Sequence, residues 1–286
     1  MGVRHPTAEE HDPMSTRLRD VLMQELGVLR HEPIDKRIRA TLGGETVVDS
    51  TRAMLVWEPL RVVPTYAVPE EDVRAEIAAA AGKAGAEGMG DAPQLAGRRV
   101  LDPSVPFAVR STEGEALVVR AGGREAEAFR AADQDLDGYV IVDFGGFDEW
   151  FEEDERNVGH PRDPFHRIDI VHGSRHVVVE LDGEVLAESS APYLLFEPPI
   201  PVRYYLPRDD VRMDLLQPSD TRSFCAYKGE ASYLSHGEAA DLAWTYPAPL
   251  REAAEIADRI AFFNERADVV VDGIRLERPV TPWSPR

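Results

Sequence analysis

The sequence predicts a mainly β (α+β) fold: two tandem modules, each a set of short antiparallel strands with a packed helix. Three observations carry that expectation. Apolar residues alternate in short runs that end in tight Gly turns, as hairpins require. The runs of the first half reappear in the second at a constant spacing. Two further segments carry apolar residues at helical spacing.

The first helix is expected from Ser15, a cap, through about Arg30, with Leu18, Val21, Leu22 and Leu29 on one face. The strands begin at Ile38-Arg-Ala-Thr-Leu42-Gly-Gly44-Glu45, which is matched by Val177-Val-Val-Glu-Leu181-Asp-Gly183-Glu184, 139 residues on. At the same offset Ser50 meets Ser189, Leu55 meets Leu194, Trp57 meets Phe196, and Glu58-Pro59 meets Glu197-Pro198. One residue of slip later, Pro69 and Asp72-Val-Arg74 lie on Pro207 and Asp210-Val-Arg212. Leu101-Asp-Pro-Ser104 then falls on Leu216-Gln-Pro-Ser219, and Gly114-Glu-Ala116 on Gly229-Glu-Ala231. The offset drops from 138 to 115 on the way, so the first copy carries 23 extra residues, read as a loop over 75–100. The second helix is expected from Pro249, with Leu250, Ala253, Ile256, Ile260 and Phe263 following. The expected organisation is a helical extension over 1–35, a first module over 36–172, a second over 173–277 and a tail over 278–286.

Length and charge agree with this division. At 286 residues the chain is long enough for two modest domains. Its formal charge of −20 argues against binding nucleic acid, whose phosphates need Lys and Arg, and against an anionic membrane surface. No run of 18 apolar residues occurs, and Met1–Glu10 has no apolar leader core, so a soluble, cytoplasmic protein is expected. The single cysteine, Cys225, excludes an internal disulfide and a cysteine zinc site. No residue pattern implies a cofactor or a resident metal.

A duplication acts as its own control. Residues kept in both copies (Glu58/Glu197, Asp72/Asp210, Arg74/Arg212) are expected to serve the common fold, and residues found in one copy a specialised site. The second copy alone has Cys225, Tyr227 and Lys228, where the first has Arg110, Thr112 and Glu113; Trp244 stands against Phe129 and Tyr205 against Ala67. Lys228 is one of only three lysines, with Lys36 and Lys83. An ammonium close to a thiol favours thiolate, so Cys225 and Lys228 are candidate catalytic residues. Tyr205, Tyr227 and Trp244 are candidate walls of a small-molecule site, and Arg212 a candidate anion contact. His160-Pro-Arg162-Asp163-Pro-Phe165-His166 joins the copies and reads as an inter-domain network of His160, Arg162, Asp163 and His166.

Tyr205-Leu-Pro-Arg-Asp-Asp210-Val-Arg212, Cys225-Ala-Tyr227-Lys228-Gly229 and Ala243-Trp244-Thr-Tyr246-Pro247 resemble domain of unknown function family 427. The family's usual middle motif is Cys-Pro-Tyr-Lys-Gly, from which Ala226 departs. The resemblance implies a β-tent-like fold over about residues 36–276, with the first copy a diverged member. It also carries a nucleotidyltransferase label with no secure activity behind it.

Two acidic spacings test that label. Asp133-x-Asp135-x-Asp137-Gly138 imitates the first half of a calcium loop, but Phe144 stands where the bidentate Glu belongs. Gly122-Gly123 followed by Asp133-x-Asp135 imitates a nucleotidyltransferase Mg²⁺ pair, although Gln134 is polar where that strand needs an apolar residue. Three functions are therefore in view: a small-molecule binding or enzymatic site in the second module, a non-catalytic interaction or scaffold protein, and Mg²⁺-dependent nucleotidyl transfer.

Overall fold

The structure, a computed structural model, describes Ser15 and residues 18–80, 92–95 and 97–285. One helix, α1 (Leu18–Glu25), precedes the strands. The N-terminal strands are β1 (Arg30–Pro33), β2 (Ile38–Leu42), β3 (Glu45–Ser50), β4 (Met54–Trp57), β5 (Thr65–Pro69), β6 (Glu76–Ala79), β7 (Gln94–Leu95) and β8 (Arg98–Arg99). They continue with β9 (Gly114–Ala121), β10 (Arg124–Ala131), β11 (Tyr139–Val142), β12 (Glu149–Glu152) and β13 (Glu155–Asn157). The C-terminal strands are β14 (Asp169–His172), β15 (Val177–Leu181), β16 (Glu184–Ser189), β17 (Tyr193–Phe196), β18 (Arg203–Tyr205) and β19 (Gln217–Cys225). They end with β20 (Gly229–His236), β21 (Ala239–Thr245), β22 (Ile260–Phe262), β23 (Asp268–Val271) and β24 (Ile274–Arg275).

Every strand pair is antiparallel, and no sheet mixes strands from before and after the segment 158–168. The N-terminal strands form a seven-stranded sheet, β1-β4-β5-β11-β10-β9-β6, a four-stranded sheet, β13-β12-β2-β3, and a two-stranded one, β7-β8. The C-terminal strands form β14-β17-β18, β19-β20-β21-β22 and β16-β15-β23-β24. Leu206 and Ile260 exchange backbone hydrogen bonds of 2.8 and 3.0 Å and so join β18 to β22. The resulting order, β14-β17-β18-β22-β21-β20-β19, runs parallel to the N-terminal one strand for strand.

Local details repeat with it. The β2–β3 hairpin turns on Gly43-Gly44 and the β15–β16 hairpin on Asp182-Gly183, all four at positive φ, as a two-residue I′ turn needs. Each hairpin has one register shift, at Ala40/Thr41 and at Val179/Glu180, 139 residues apart. Ser50 Oγ donates to Asp72 at 2.7 Å and Ser189 Oγ to Asp210 at 2.6 Å. Each hydroxyl also accepts a backbone N–H at 3.0 Å, from Arg52 and from Ala191. The kept aspartates thus tie a 3₁₀ turn to a strand end; Asp72 also pairs with Arg52 at 2.7 Å, while the kept Arg74 and Arg212 turn to Asp49 and Asp214.

Alternation builds the cores. Ile38, Ala40 and Leu42 point inward from β2, and with Leu55, Val68, Val140 and Trp150 they form the N-terminal core. Val177, Val179, Leu186, Leu206, Leu242 and Ile260 form its C-terminal equivalent, beside an aromatic cluster of Tyr205, Trp244, Tyr246 and Phe263. Gly43 packs on Gly122 so closely that a Cβ on Gly43, already at φ +61°, would lie 2.6 Å from the Gly122 Cα. Gly43→Ala is expected to cost about 1–3 kcal/mol in denaturant unfolding.

Three expectations need correction. The second helix is absent: Arg251–Ile256 makes 3₁₀ turns, Asp258 at φ 56° reverses the chain, and Ile260–Phe262 is a fully buried strand. A turn followed by a buried strand places apolar residues at intervals that imitate a helix. The first helix is only eight residues long and exposes Leu18 and Leu22, while Met23 is the buried one. Residues 16 and 17 of that span lie outside the described residues. The expected loop over 75–100 begins with a strand, because β6 pairs with β9 at Glu76↔Arg120, where β19 pairs with β20 at Gln217↔Ser235. Glu76, and not Asp102, therefore holds the place of Gln217. Leu95 and Val100 are buried, and residues 81–91 and 96 lie outside the described residues. Among the described residues no helix is long and apolar enough to cross a membrane.

Candidate functional site

The β19–β20 hairpin turns on Cys225-Ala-Tyr227-Lys228-Gly229, with Gly229 at φ +94°. Such a φ is freely open to glycine, and it lets the turn bury Ala226, Tyr227 and Lys228 together. The Lys228 Nζ donates to Glu197 Oε2, and His166 Nε2 lies 3.1 Å from Glu197 Oε1. Glu197 follows β17, so the cluster gathers one residue from each of three segments.

Burial by itself would raise the Glu197 pKa, but Lys228 and the His166 hydrogen bond outweigh it and bring the carboxyl to about 2. Burial would likewise lower the Lys228 pKa; the Glu197 charge overrides it and raises the ammonium above its ordinary value. An ammonium held this firmly has no lone pair to offer a carbonyl, and its charge is already matched.

Beside this pair opens a cleft of about 460 Å³. Tyr227 and His166 line it along with Lys36, Arg162, Asp163, Arg167, Arg251 and Glu252. The Tyr227 ring packs on His166 at 4.7 Å and on His160 at 5.8 Å. Its hydroxyl accepts the Asp163 N–H at 2.8 Å, and burial pushes its pKa up, so it keeps a proton to donate. Burial lowers the His160 pKa, and the His160 Nδ1–H donates to the Pro161 carbonyl at 2.8 Å.

From the N-terminal strands' side the cleft is lined by Lys36, which lies between β1 and β2. Glu152, at the end of β12, accepts from Lys36 Nζ at 2.6 Å, from Tyr66 OH at 2.7 Å and from the Arg162 N–H at 3.5 Å. The joining segment is thus held on one side at Glu152 and on the other at Tyr227 and Glu197. Arg162 reaches Glu252 at 3.4 Å, and Arg251 reaches Glu155 at 3.9 Å across the cleft. Four cationic side chains and two carboxylates line the cleft, and each cation has an acidic partner: Lys36 pairs with Glu152, Arg162 with Glu252, Arg167 with Asp169 at 3.3 Å and Arg251 with Glu155.

The structure brings His160, Arg162, Asp163 and His166 together with Tyr227 and Lys228. Other candidates stand apart. The Tyr205 hydroxyl accepts from Trp244 Nε1 at 3.0 Å, and both rings are buried in the aromatic core behind the cleft. Arg212 is exposed and forks onto Asp214 at 2.8 and 3.0 Å, away from the cleft lining. Cys225 is half-buried and close enough to favour the Lys228 ammonium, but it does not line the cleft. Asp133 caps a 3₁₀ turn by accepting the Asp135 N–H at 3.0 Å, and Asp135 lies 3.6 Å from His31. Among the described residues, no three His, Cys, Asp or Glu side chains come together as metal ligands.

Sequence reasoning did not single out Lys36, Arg167, Arg251 or Glu252 for this site. It placed Glu197 in the common fold because Glu58 matches it. Glu58 is indeed fully buried, but its cations come from other positions: Arg110 at 2.6 Å and Arg61 at 3.3 Å. The Arg110 guanidinium lies 3.6 Å from the Phe107 ring centre and 4.5 Å from that of Phe129. Arg110, the counterpart of Cys225, therefore fills the N-terminal equivalent of this region with its own side chain.

A family model described as Domain of unknown function (DUF427) matches residues 30–90 and 169–273. No curated protein matches the chain.

Proposed function

The chain belongs to the DUF427 family, and on that premise we propose that it binds a small anionic molecule in the cleft between two duplicated modules. The modules span residues 36–172 and 173–277, with 158–168 as the clasp. Tyr227 and His166, whose rings pack on each other at 4.7 Å with a 32° tilt, offer aromatic faces to the cleft, while Arg162, Arg167, Arg251 and Lys36 supply cations for an anionic end. Glu197 holds the His166 ring, and Lys228 holds Glu197. In a chain this acidic, a ligand anion has to be drawn by local cations against the field of the whole protein, and only a concentrated cluster can do it. The gathering of four cationic side chains on one cleft, two of them in ion pairs of only 3.4 and 3.9 Å, is the observation on which the reading rests.

A thermal-shift comparison tests it. Benzoate, inorganic phosphate and a nucleoside monophosphate are set against neutral benzamide and cationic benzamidine. At least one anion is expected to raise the melting temperature, with stabilisation reaching about 2.7 kcal/mol at a hundredfold excess over Kd. The neutral and cationic probes are expected to do nothing. If no anion shifts the transition, the non-catalytic scaffold reading takes the place of this one.

A further inference from the structure

We propose that the cleft carries out proton transfer, with His166 as general base toward a small anionic substrate that bears an acidic C–H or O–H beside its anionic group. This rests on the anion-binding reading and deepens it. An ionised carboxylate can only accept, so the contact between Glu197 Oε1 and His166 Nε2 at 3.1 Å places the imidazole proton on Nε2. The lone pair of the neutral ring then belongs to Nδ1. No hydrogen-bond partner of Nδ1 occurs among the described residues, and the ring lines the cleft.

Everything around the ring limits its motion. Its backbone N–H donates to the Asp163 carbonyl at 3.3 Å, and Tyr227 covers one side at 4.7 Å. Lys228 occupies the second oxygen of Glu197, so the carboxylate presents only Oε1 to the histidine. Carboxylate, imidazole and an open ring nitrogen make an orienter–base pair, in which Glu197 and Lys228 are positioning residues and His166 is the group that meets substrate.

The step balances without a co-reactant. The substrate X–H bond breaks, its proton passes to Nδ1, and the bonding electron pair stays on the substrate. The new negative charge develops beside Arg162, Arg251 and the Tyr227 hydroxyl, and the imidazolium is stabilised by Glu197. Return of the proton, to the same or a neighbouring atom, restores the ring. The charged and titratable groups that face His166 are Glu197 from the segment after β17, Lys228 and Tyr227 from the β19–β20 turn, and His160, Arg162 and Asp163 from its own segment.

The test is a long-range ¹H–¹⁵N correlation spectrum of the ¹⁵N-labelled full chain near neutral pH, with benzoate as the anionic probe. His166 is expected as the Nε2–H tautomer with an unprotonated Nδ1, and benzoate is expected to move the Nδ1 resonance. Glu197→Gln is expected to mix the tautomers, since the carboxylate that fixes the proton on Nε2 is gone. The wild-type spectrum needs no variant, so misfolding of Glu197→Gln would not blunt the test. An Nδ1–H tautomer overturns the proposal whether or not benzoate binds. Benzoate shifts at Tyr227 and Arg162 with none at His166 overturn it while leaving anion binding intact. A correct tautomer with every cleft resonance silent to benzoate and phosphate overturns the binding reading and, with it, the catalytic role.

Discussion

Lys228→Met is expected to destabilise the protein by about 3–5 kcal/mol, because it leaves the Glu197 carboxylate buried without its cation. Methionine keeps most of the side-chain volume, so the loss reports charge more than packing. Adding Glu197→Met to that variant is expected to recover much of the stability, since a buried pair removed as a pair costs far less than a pair broken. Urea unfolding of the two variants and the wild type measures both effects. The pH dependence follows from the same pair. Glu197 has its pKa lowered on folding to about 2, so its contribution is complete above the ordinary carboxyl value and disappears as pH falls toward 2. Lys228 is raised on folding, so its contribution is complete below its ordinary value and is lost only in strong alkali. Urea midpoints of the wild type should therefore fall steeply between about pH 4.5 and 2. Lys228→Met should lose that acid-side slope.

Arg110→Ala is expected to cost about as much, again about 3–5 kcal/mol, for a related reason in the N-terminal sheets. It would leave the fully buried Glu58 with Arg61 alone and open a void between Phe107 and Phe129. Arg110→Met separates the two causes: it refills the void and leaves the charge unmatched. Calorimetric unfolding should then place Arg110→Met between the wild type and Arg110→Ala. Equal stability of wild type and Arg110→Ala would show that the buried Glu58 does not depend on this guanidinium.

Hairpins were easy to read from the sequence because their information is local. Gly43-Gly44 and Asp182-Gly183 announce I′ turns, and the alternation on β2 and β15 sets which side faces the core. The mistaken helix at 249–263 shows the limit of local pattern. Ala253, Ile256 and Ile260 have helical spacing, but one positive-φ residue, Asp258, and the pairing of β22 with β21 on one side and Leu206 on the other decide the outcome. For the site, Tyr227, Lys228 and the segment from His160 to His166 were visible as a residue-type contrast and a stiff junction. Their convergence was not, since it depends on how the β19–β20 turn meets the junction. Lys36 and Arg251 lie more than two hundred residues apart and meet at the cleft only through tertiary packing. Tyr205 and Trp244 illustrate an ambiguity of residue type: aromatic rings that suit a ligand cage also make a core, and here the two are buried with Trp244 donating to the Tyr205 hydroxyl.

Equilibrium titration of the best anion from the thermal-shift comparison, in the wild type and in Arg162→Ala plus Arg251→Ala, tests the central claim most directly. Both arginines line the cleft but make only long ion pairs, 3.4 and 3.9 Å, so their removal should leave the fold in place. The account predicts at least a tenfold rise in Kd for the double variant, and weakening of wild-type binding as salt is raised from 50 to 200 mM, both being approximate laboratory limits. An unchanged Kd in the double variant, or equal binding of the neutral isostere, would contradict it.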